Sequence, residues 1–218
     1  RLMEHAGKQI DDESLAEAIK DKGLGTPATR ADTIEKLVDR GYIQRSRGGS
    51  ISATAHGIRI IDVLRKIPVE WITSPEMTGE MESSLLRVQR GEEPRENYMN
   101  AVIKQTTVMV ERIKNHDRSE LYINEPSIGE CLICKCKIIE TTLTYQCEKN
   151  EGRDKGCSFV FWKDTSGRWF DQPTAMRLVE NRQLDDLHGF FNRSGEPYIA
   201  SIKLTDGGKV EFIGGGES

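Results

Sequence analysis

No apolar run in the sequence approaches the roughly 20 residues that a membrane-spanning helix requires, and no basic stretch followed by an apolar one marks a signal peptide. A membrane is therefore not expected among its partners. Cysteine is missing from everything before Cys131 and after Cys157. A disulfide scaffold would spread its cysteines through the core that they staple, so that class is excluded. A basic excess is also lacking: 31 Lys and Arg stand against 35 Asp and Glu, a net charge of -4. Such a balance argues against a chain that coats nucleic acid indiscriminately.

The 218 residues suffice for one large domain or two modest ones. With 36% apolar and 30% charged residues, the composition suits a surface-rich protein with modest cores. The chain opens on Arg1-Leu2-Met3, from which a piece of a longer protein is expected. Charge is uneven along it. From Asp21 to Lys66 there are nine Lys and Arg against five Asp and Glu, so this window is +4. A local basic surface fits nucleic-acid contact, and it equally fits solvated helix faces.

Helical spacing places a first helix at Asp12 to Lys22, with Leu15, Ala18 and Ile19 on one face and Gly23 as C-cap. Thr26 then reads as an N-cap with Pro27 at the first helical position, opening a second helix to about Arg40 that Gly41 ends. In "YIQRSRGGSISATAHG" the Gly48-Gly49 pair predicts a two-residue hairpin turn, which sets Arg45 and Arg47 at one strand parity and Ile51 and Ala53 at the other. A third helix, Ile58 to Ile67, completes a winged-helix order. Ser74-Pro75 starts another helix that Gly91 stops, and a long one follows from Arg95 to Lys114. Its apolar face carries Met99, Val102, Ile103, Thr106, Val110 and Ile113. Residues 116–129 read as a linker. Beyond them, short β-branched and aromatic runs such as "CSFVFW" and "PYIASIKL" predict a small β-rich module with one helix near Ala175 to Asn181.

Two stretches carry chemistry. All five cysteines lie within a 27-residue window, which points to a metal site in a reducing compartment and so to a cytoplasmic protein. Cys131 and Cys134, then Cys147 and Cys157, give thiolates in close pairs, as tetrahedral zinc requires in a module too small to fold on its core alone. Cys136 is either a bystander or a competitor of Cys134. The second stretch is Thr26-Pro27-Ala28-Thr29-Arg30. The amides and dipole of a helix start favour an anion, and a hydroxyl and a guanidinium lie in the same turn. The turn is either a phosphate seat or an ordinary cap.

Taken together, "GLGTPATRADTIEKLVDRGYI", "ISATAHG" and "SPEMTGEMESSLLRVQRGE" resemble, in order and spacing, the type IA DNA topoisomerases of the topoisomerase III-like branch. The cysteine module, with "YQC", "CSFVFWK", "LHGFFNRSGEPYIASIKL" and "GGKVEF", resembles their C-terminal repeat. The resemblance runs from about Glu4 to Phe212. It implies a multi-domain α+β protein: a mainly helical, winged-helix-like core segment over 1–115, a linker over 116–129 and a zinc-ribbon-like module over 130–218. It also implies an enzyme that cuts one DNA strand through a tyrosine, passes another and reseals, with magnesium held by an acidic domain. By that resemblance Thr26, Thr29 and Arg30 contact single-stranded DNA, and Arg45 and Arg47 add to that surface. Zinc falls to Cys131, Cys134, Cys147 and Cys157, and the missing N-terminal half is a partner.

Departures from the family are specific. Neither an Asp-x-Asp-x-Glu motif nor the nucleophile context surrounds any of Tyr42, Tyr98, Tyr122, Tyr145 and Tyr198, so no catalytic residue is expected in this chain. Ala53 and Met81 stand where the family carries proline and tryptophan, and the knuckle Cys131-Leu132-Ile133-Cys134-Lys135-Cys136 lacks the usual proline and glycine. Phe159, Phe161, Trp162, Trp169 and Phe170 either stack on bases or form the module's core. The competing expectation is a freestanding, non-catalytic regulator that binds duplex DNA through its winged helix and a protein such as RNA polymerase through its cysteine module. Against it, three of the four outward positions of the second helix, Asp32, Glu35 and Asp39, are acidic.

Overall fold

The computed structural model describes residues 2–10, 13, 16, 23–67, 69, 72–117, 120–152 and 156–213. The chain is mixed α+β and divides into two compact units, Arg1–Leu37 with Ile61–Arg118, and Val38–Ile60 with Ser119–Ser218. Among the described residues, no helix is long and apolar enough to cross a membrane.

The first unit is helical. A 3-10 turn, Ala6–Gln9, precedes α1 (Pro27–Asp39), which runs on into the second unit. The later part of α2 (Ala55–Lys66) leads back, and α3 (Pro75–Gln89) and α4 (Arg95–Asn115) follow. The Ser74 hydroxyl accepts the Met77 N–H at 3.3 Å, with Pro75 in the first turn. Gly91, at φ +76°, takes the left-handed turn that ends α3. The expected first helix, Asp12 to Lys22, falls outside the described residues except for Glu13 and Ala16. Among the described residues of this unit, Ala6, Ile10, Ile67 and Val69 are buried apolar side chains, and Ala6 and Ile10 pack with Ala16 and Leu24. No residue of α4 is buried, and Met99, Ile103, Val110 and Ile113 of its apolar stripe are exposed.

The second unit opens with a β-ribbon, β1 (Ile43–Arg45) against β2 (Ile51–Ala53). The expected two-residue turn gives way to a three-residue loop, because Arg45 pairs with Ile51 and the Ser46 N–H bonds to Ser50. Gly49, at φ +79°, supplies the left-handed position such a loop requires. Arg45 thus shares a face with Ile51, and Arg47 lies in the loop. The "ATAHG" stretch fixes how the ribbon meets α2. Thr54 caps the helix by accepting the Gly57 N–H at 3.0 Å, and its hydroxyl donates to the Gly41 carbonyl at 2.6 Å. A Cβ on Gly57 would lie 2.1 Å from the Tyr42 carbonyl oxygen, so only glycine fits.

The rest of the unit is two antiparallel three-stranded sheets. The first is β3 (Ile138–Glu140), β4 (Thr144–Cys147) and β5 (Val160–Trp162), with β4 central. A two-residue ribbon, β6 (Asp164–Thr165) with β7 (Arg168–Trp169), leads to α5 (Gln172–Asn181). The second sheet is β8 (Gln183–Phe191), β9 (Pro197–Leu204) and β10 (Val210–Ile213), with β9 central. One core unites the two sheets and α5, and Ile138, Tyr145, Phe159, Phe161, Phe170, Leu178, Phe190 and Ile202 are fully buried in it. The helix predicted near Ala175 to Asn181 is α5, capped by Asp171 through the Thr174 N–H at 3.1 Å.

Candidate metal centre and nucleic-acid surfaces

Four sulfurs converge where two hairpins meet. The first hairpin is closed by a bridge between Glu130 and Lys137, the second by one between Asn150 and Gly156. The ligand atoms of Cys131, Cys134, Cys147 and Cys157 all lie within 4.8 Å of one another. Cys131 and Cys157 stand 3.5 Å apart, sulfur to sulfur, and Cys134 and Cys147 stand 3.4 Å apart. A zinc ion with arms of about 2.3 Å sets tetrahedral sulfurs about 3.8 Å from each other, so these four thiols fit a closed tetrahedral site. All five cysteines are free thiols, and the four predicted ligands are the four that come together.

The knuckle turns without glycine. Lys135 adopts φ +64°, its N–H returns to the Cys131 carbonyl at 2.9 Å, and the Cys131 N–H donates to the Cys136 carbonyl at 2.7 Å. The chain thus accepts a left-handed lysine to keep the two thiols paired, at a cost of roughly 1–2 kcal/mol. In the second hairpin a Cβ on Gly156 would lie 1.9 Å from the Lys149 carbonyl oxygen. Cys136 stays out of the cluster: its sulfur reaches the Cys134 carbonyl at 3.7 Å and hydrogen-bonds Lys149, which raises the lysine's pKa.

Without metal the thiols have unequal acidity. The Cys136 N–H and the Cys147 thiol hold Cys134 down at about 6, whereas burial pushes Cys147 up to about 12. Cys134 is therefore ready as thiolate near neutral pH, whereas Cys147 keeps its proton until a metal displaces it.

The aromatic residues separate into two groups. Phe159, Phe161 and Phe170 are wholly buried, with Phe161 and Phe170 edge-on at 5.0 Å. They form core and have no face to offer a base. Trp162 is 56% exposed, and Trp169 is half-buried. An ion pair that the sequence did not suggest braces this region. Lys163 Nζ lies 2.7 Å from Glu140 Oε1, 4.4 Å from the Tyr122 ring centre and 5.4 Å from that of Trp169.

The Thr26–Arg30 turn is a capping box built from two threonines. The Thr26 N–H donates to the Thr29 hydroxyl at 2.9 Å, and the Thr29 N–H to the Thr26 hydroxyl at 3.3 Å. Thr26 and Thr29 are exposed. Arg30 turns back, with Nε on the Leu24 carbonyl at 3.1 Å and Nη1 on Glu4 at 3.4 Å, its side chain 15% exposed. A Cβ on Gly23 (φ +62°) would lie 2.3 Å from the Met3 carbonyl oxygen, and the Leu24 N–H bonds to that oxygen at 2.7 Å. Gly23 thus serves to seat residues 3 and 4, and Gly25 lies against Thr29 and Arg30. Arg45 and Arg47 are exposed on the ribbon of the other unit, and the Arg47 N–H donates to the Glu196 carboxylate at 2.6 Å.

A helical segment is thus followed by a small β module in which four thiols converge into a candidate metal site. Sequence comparison takes this further. The DNA topoisomerase family profile matches residues 5–100, and that of the C-terminal repeat of topoisomerase matches residues 156–213. DNA topoisomerase 1 of Bacillus anthracis is 27% identical over 217 residues, which is 97% of this chain and 24% of that protein. DNA topoisomerase 3 of Staphylococcus aureus is 35% identical over 127 residues, 58% of this chain and 17% of that protein. Full-length topoisomerase I of Thermotoga maritima aligns structurally over 72% of this chain and 26% of its own, with a TM-score of 0.41 and 22% identity. The chain belongs to the type IA DNA topoisomerase family. It spans a quarter or less of the length of these curated relatives. Cys131, Cys134 and Cys147 lie between the two matched segments, so the four-thiol cluster rests on the geometry described above.

Proposed function

We propose that this chain serves a type IA topoisomerase as a single-strand-holding element, while the tyrosine that cuts and reseals DNA and the magnesium-binding acidic domain lie outside it. One observation carries the reading. The topoisomerase segment over residues 5–100 encloses Thr26, Thr29, Arg30, Arg45 and Arg47, and the C-terminal repeat follows it in the family's order. Thr26 and Thr29 present exposed hydroxyls at the start of a 13-residue helix, where amides and dipole favour a phosphate. The ribbon adds two exposed arginines. Winged-helix geometry around α1, the ribbon and α2 is part of this proposal, as is the division into a helical segment, a linker and a zinc-ribbon-like module. Zinc is the proposed occupant of the four-thiol site, where it would tie the two hairpins together. The remainder of the enzyme is the proposed protein partner, supported by the exposed apolar stripe of α4. A cytoplasmic location accords with five free thiols.

Fluorescence anisotropy with matched single-stranded and duplex oligonucleotides over a salt series tests this. Single strands should bind more tightly, with a negative salt slope that becomes shallower in Arg47→Ala. Thr29→Ala and Arg30→Ala should both weaken binding, and Glu4→Gln, which leaves the turn intact, should not. Preference for duplex, or indifference to all these variants, overturns the proposal.

A further inference from the structure

The ribbon of the topoisomerase segment and the C-terminal repeat meet inside the second unit. The turn between β8 and β9 reaches the loop between β1 and β2. There the Glu196 carboxylate accepts the Arg47 N–H at 2.6 Å, across 149 residues of chain. The backbones are close as well, since a Cβ on Gly195 would come 3.8 Å from the Arg45 carbonyl oxygen. Gly195 and Glu196 are half-buried, whereas Asn192, Arg193 and Ser194 beside them are exposed. The turn is held in shape to present that carboxylate. Asn192 Oδ1 accepts the Ser194 and Glu196 N–H groups at 3.0 and 2.9 Å. Gly195, at φ +76°, donates to the Asn192 carbonyl at 2.9 Å. A second acid of the repeat, Asp164 in β6, feels the charge of Arg59 on α2. Desolvation raises the Asp164 pKa, while the Gly167 N–H and Arg59 act to lower it.

The contact has the marks of one that opens. Its closing bond is polar, and beside it remains a cleft of about 480 Å³, with Ala53 and Ile58 on one wall and Trp169 and Phe191 on the other. A permanent interface packs as densely as a protein interior, yet Ile58 here stays 37% exposed. Beneath the turn, β8 pairs with β9 through two register shifts, between Leu184 and Leu187 and between Leu187 and Phe190. Such shifts interrupt the ladder that would hold the arm stiff. The carboxylate also has the chemistry of a phosphate: an oxyanion that accepts a charge-assisted hydrogen bond from a backbone N–H. The loop that it meets carries Arg47 and follows Arg45.

We propose that the β8–β9 turn is a self-inhibitory latch, in which Glu196 occupies the place on the ribbon that a nucleic-acid phosphate takes when a strand binds. Such a latch rests on the reading above, in which Arg45 and Arg47 belong to the nucleic-acid surface. While the turn is closed, the Arg47 amide is taken and the repeat's acids face the ribbon. A strand engages the ribbon only when the turn swings off. Apparent affinity is therefore reduced by the fraction of chains that are open.

The test uses the full chain and matched single-stranded and duplex oligonucleotides. Glu196→Gln and Glu196→Ala are compared with Glu180→Gln, which removes the same charge from an exposed position of α5. Hydrogen exchange at the Arg47 amide is followed in each without nucleic acid, and circular dichroism confirms the fold. Both Glu196 variants should speed that exchange and tighten oligonucleotide binding about tenfold over Glu180→Gln. In the unsubstituted chain, adding the oligonucleotide should speed exchange in residues 192–196. Equal affinity in the Glu196 and Glu180 variants overturns the latch, as does an Arg47 amide that exchanges no faster without the carboxylate. Preference for duplex with the Glu196 gain intact removes the single-strand reading and leaves the latch standing. Absence of binding in every variant removes both.

Discussion

Lys163 and Glu140 form an ion pair of 2.7 Å with side chains only 1% and 8% exposed, and they lie 23 residues apart in sequence. Glu140 ends the edge strand β3, and Lys163 follows β5 on the far side of the same sheet. The Gln172 amide also donates to the Glu140 carboxylate, at 3.4 Å. Removing either charge leaves the other buried without its counter-ion. Lys163→Met and Glu140→Gln should each cost about 3–5 kcal/mol in chemical denaturation. The double variant should recover most of that loss, since desolvation of the pair offsets much of its attraction. Full additivity would show that the two charges act independently.

Among the described residues the candidate metal site has four members, Cys131, Cys134, Cys147 and Cys157. Serine in place of Cys131, Cys134, Cys147 or Cys157 should abolish stoichiometric zinc binding. Cys136→Ser should retain one zinc per chain, because its sulfur lies outside the cluster. Released zinc, counted with a chromogenic chelator, reads both outcomes.

Proton release should vary with pH in a fixed direction. At pH 7 Cys134, held at about 6, is already thiolate, and Cys147, pushed up to about 12, still carries its proton. Metal binding at pH 7 therefore expels the Cys147 proton but not one from Cys134. Below pH 6 Cys134 is protonated too, so one more proton leaves per zinc and apparent affinity falls. Calorimetry in buffers of different ionisation enthalpy counts these protons; a constant count from pH 5 to 8 would contradict the assignment.

Lys135→Gly should stabilise the loaded module. Glycine relieves the left-handed lysine, worth about 1–2 kcal/mol, and gives back part of that in chain entropy. The expected gain is about 0.5–1 kcal/mol, read as a rise in the zinc-saturated thermal midpoint.

Gly57→Ala should cost on the order of 2–3 kcal/mol, because its methyl would fall 2.1 Å from the Tyr42 carbonyl oxygen. The unfolding midpoint measures it. An unchanged midpoint would mean that the ribbon shifts away freely.

Local chemistry was readable in the sequence, and long-range chemistry was not. The Ser74-Pro75 and Thr26-Pro27 starts, the stop at Gly91 and the four thiols all lie in signals a few residues long, and the structure places each as read. The ribbon turn was misread by one residue. Gly48-Gly49 looks like a two-residue turn, but the backbone closes from Ser46 to Ser50, and only pairing along the strands decides that. The fate of the aromatics depended on which strand face met the second sheet, which no local pattern encodes. No residue near Lys163 in sequence marks its burial, because its partner Glu140 stands two strands away. Glu196, which accepts the Arg47 N–H from 149 residues along the chain, was invisible for the same reason. Arg30 was legible as a cation, but its commitment to Leu24 and Glu4 required the fold.

The apolar stripe on Arg95–Asn115 has a consequence for dosage. A 21-residue helix with no buried residue and Met99, Ile103, Val110 and Ile113 in water presents a long sticky edge. How much of this chain stays dispersed then depends on whether some other surface covers that edge. With the edge uncovered, aggregation should set in as its concentration rises.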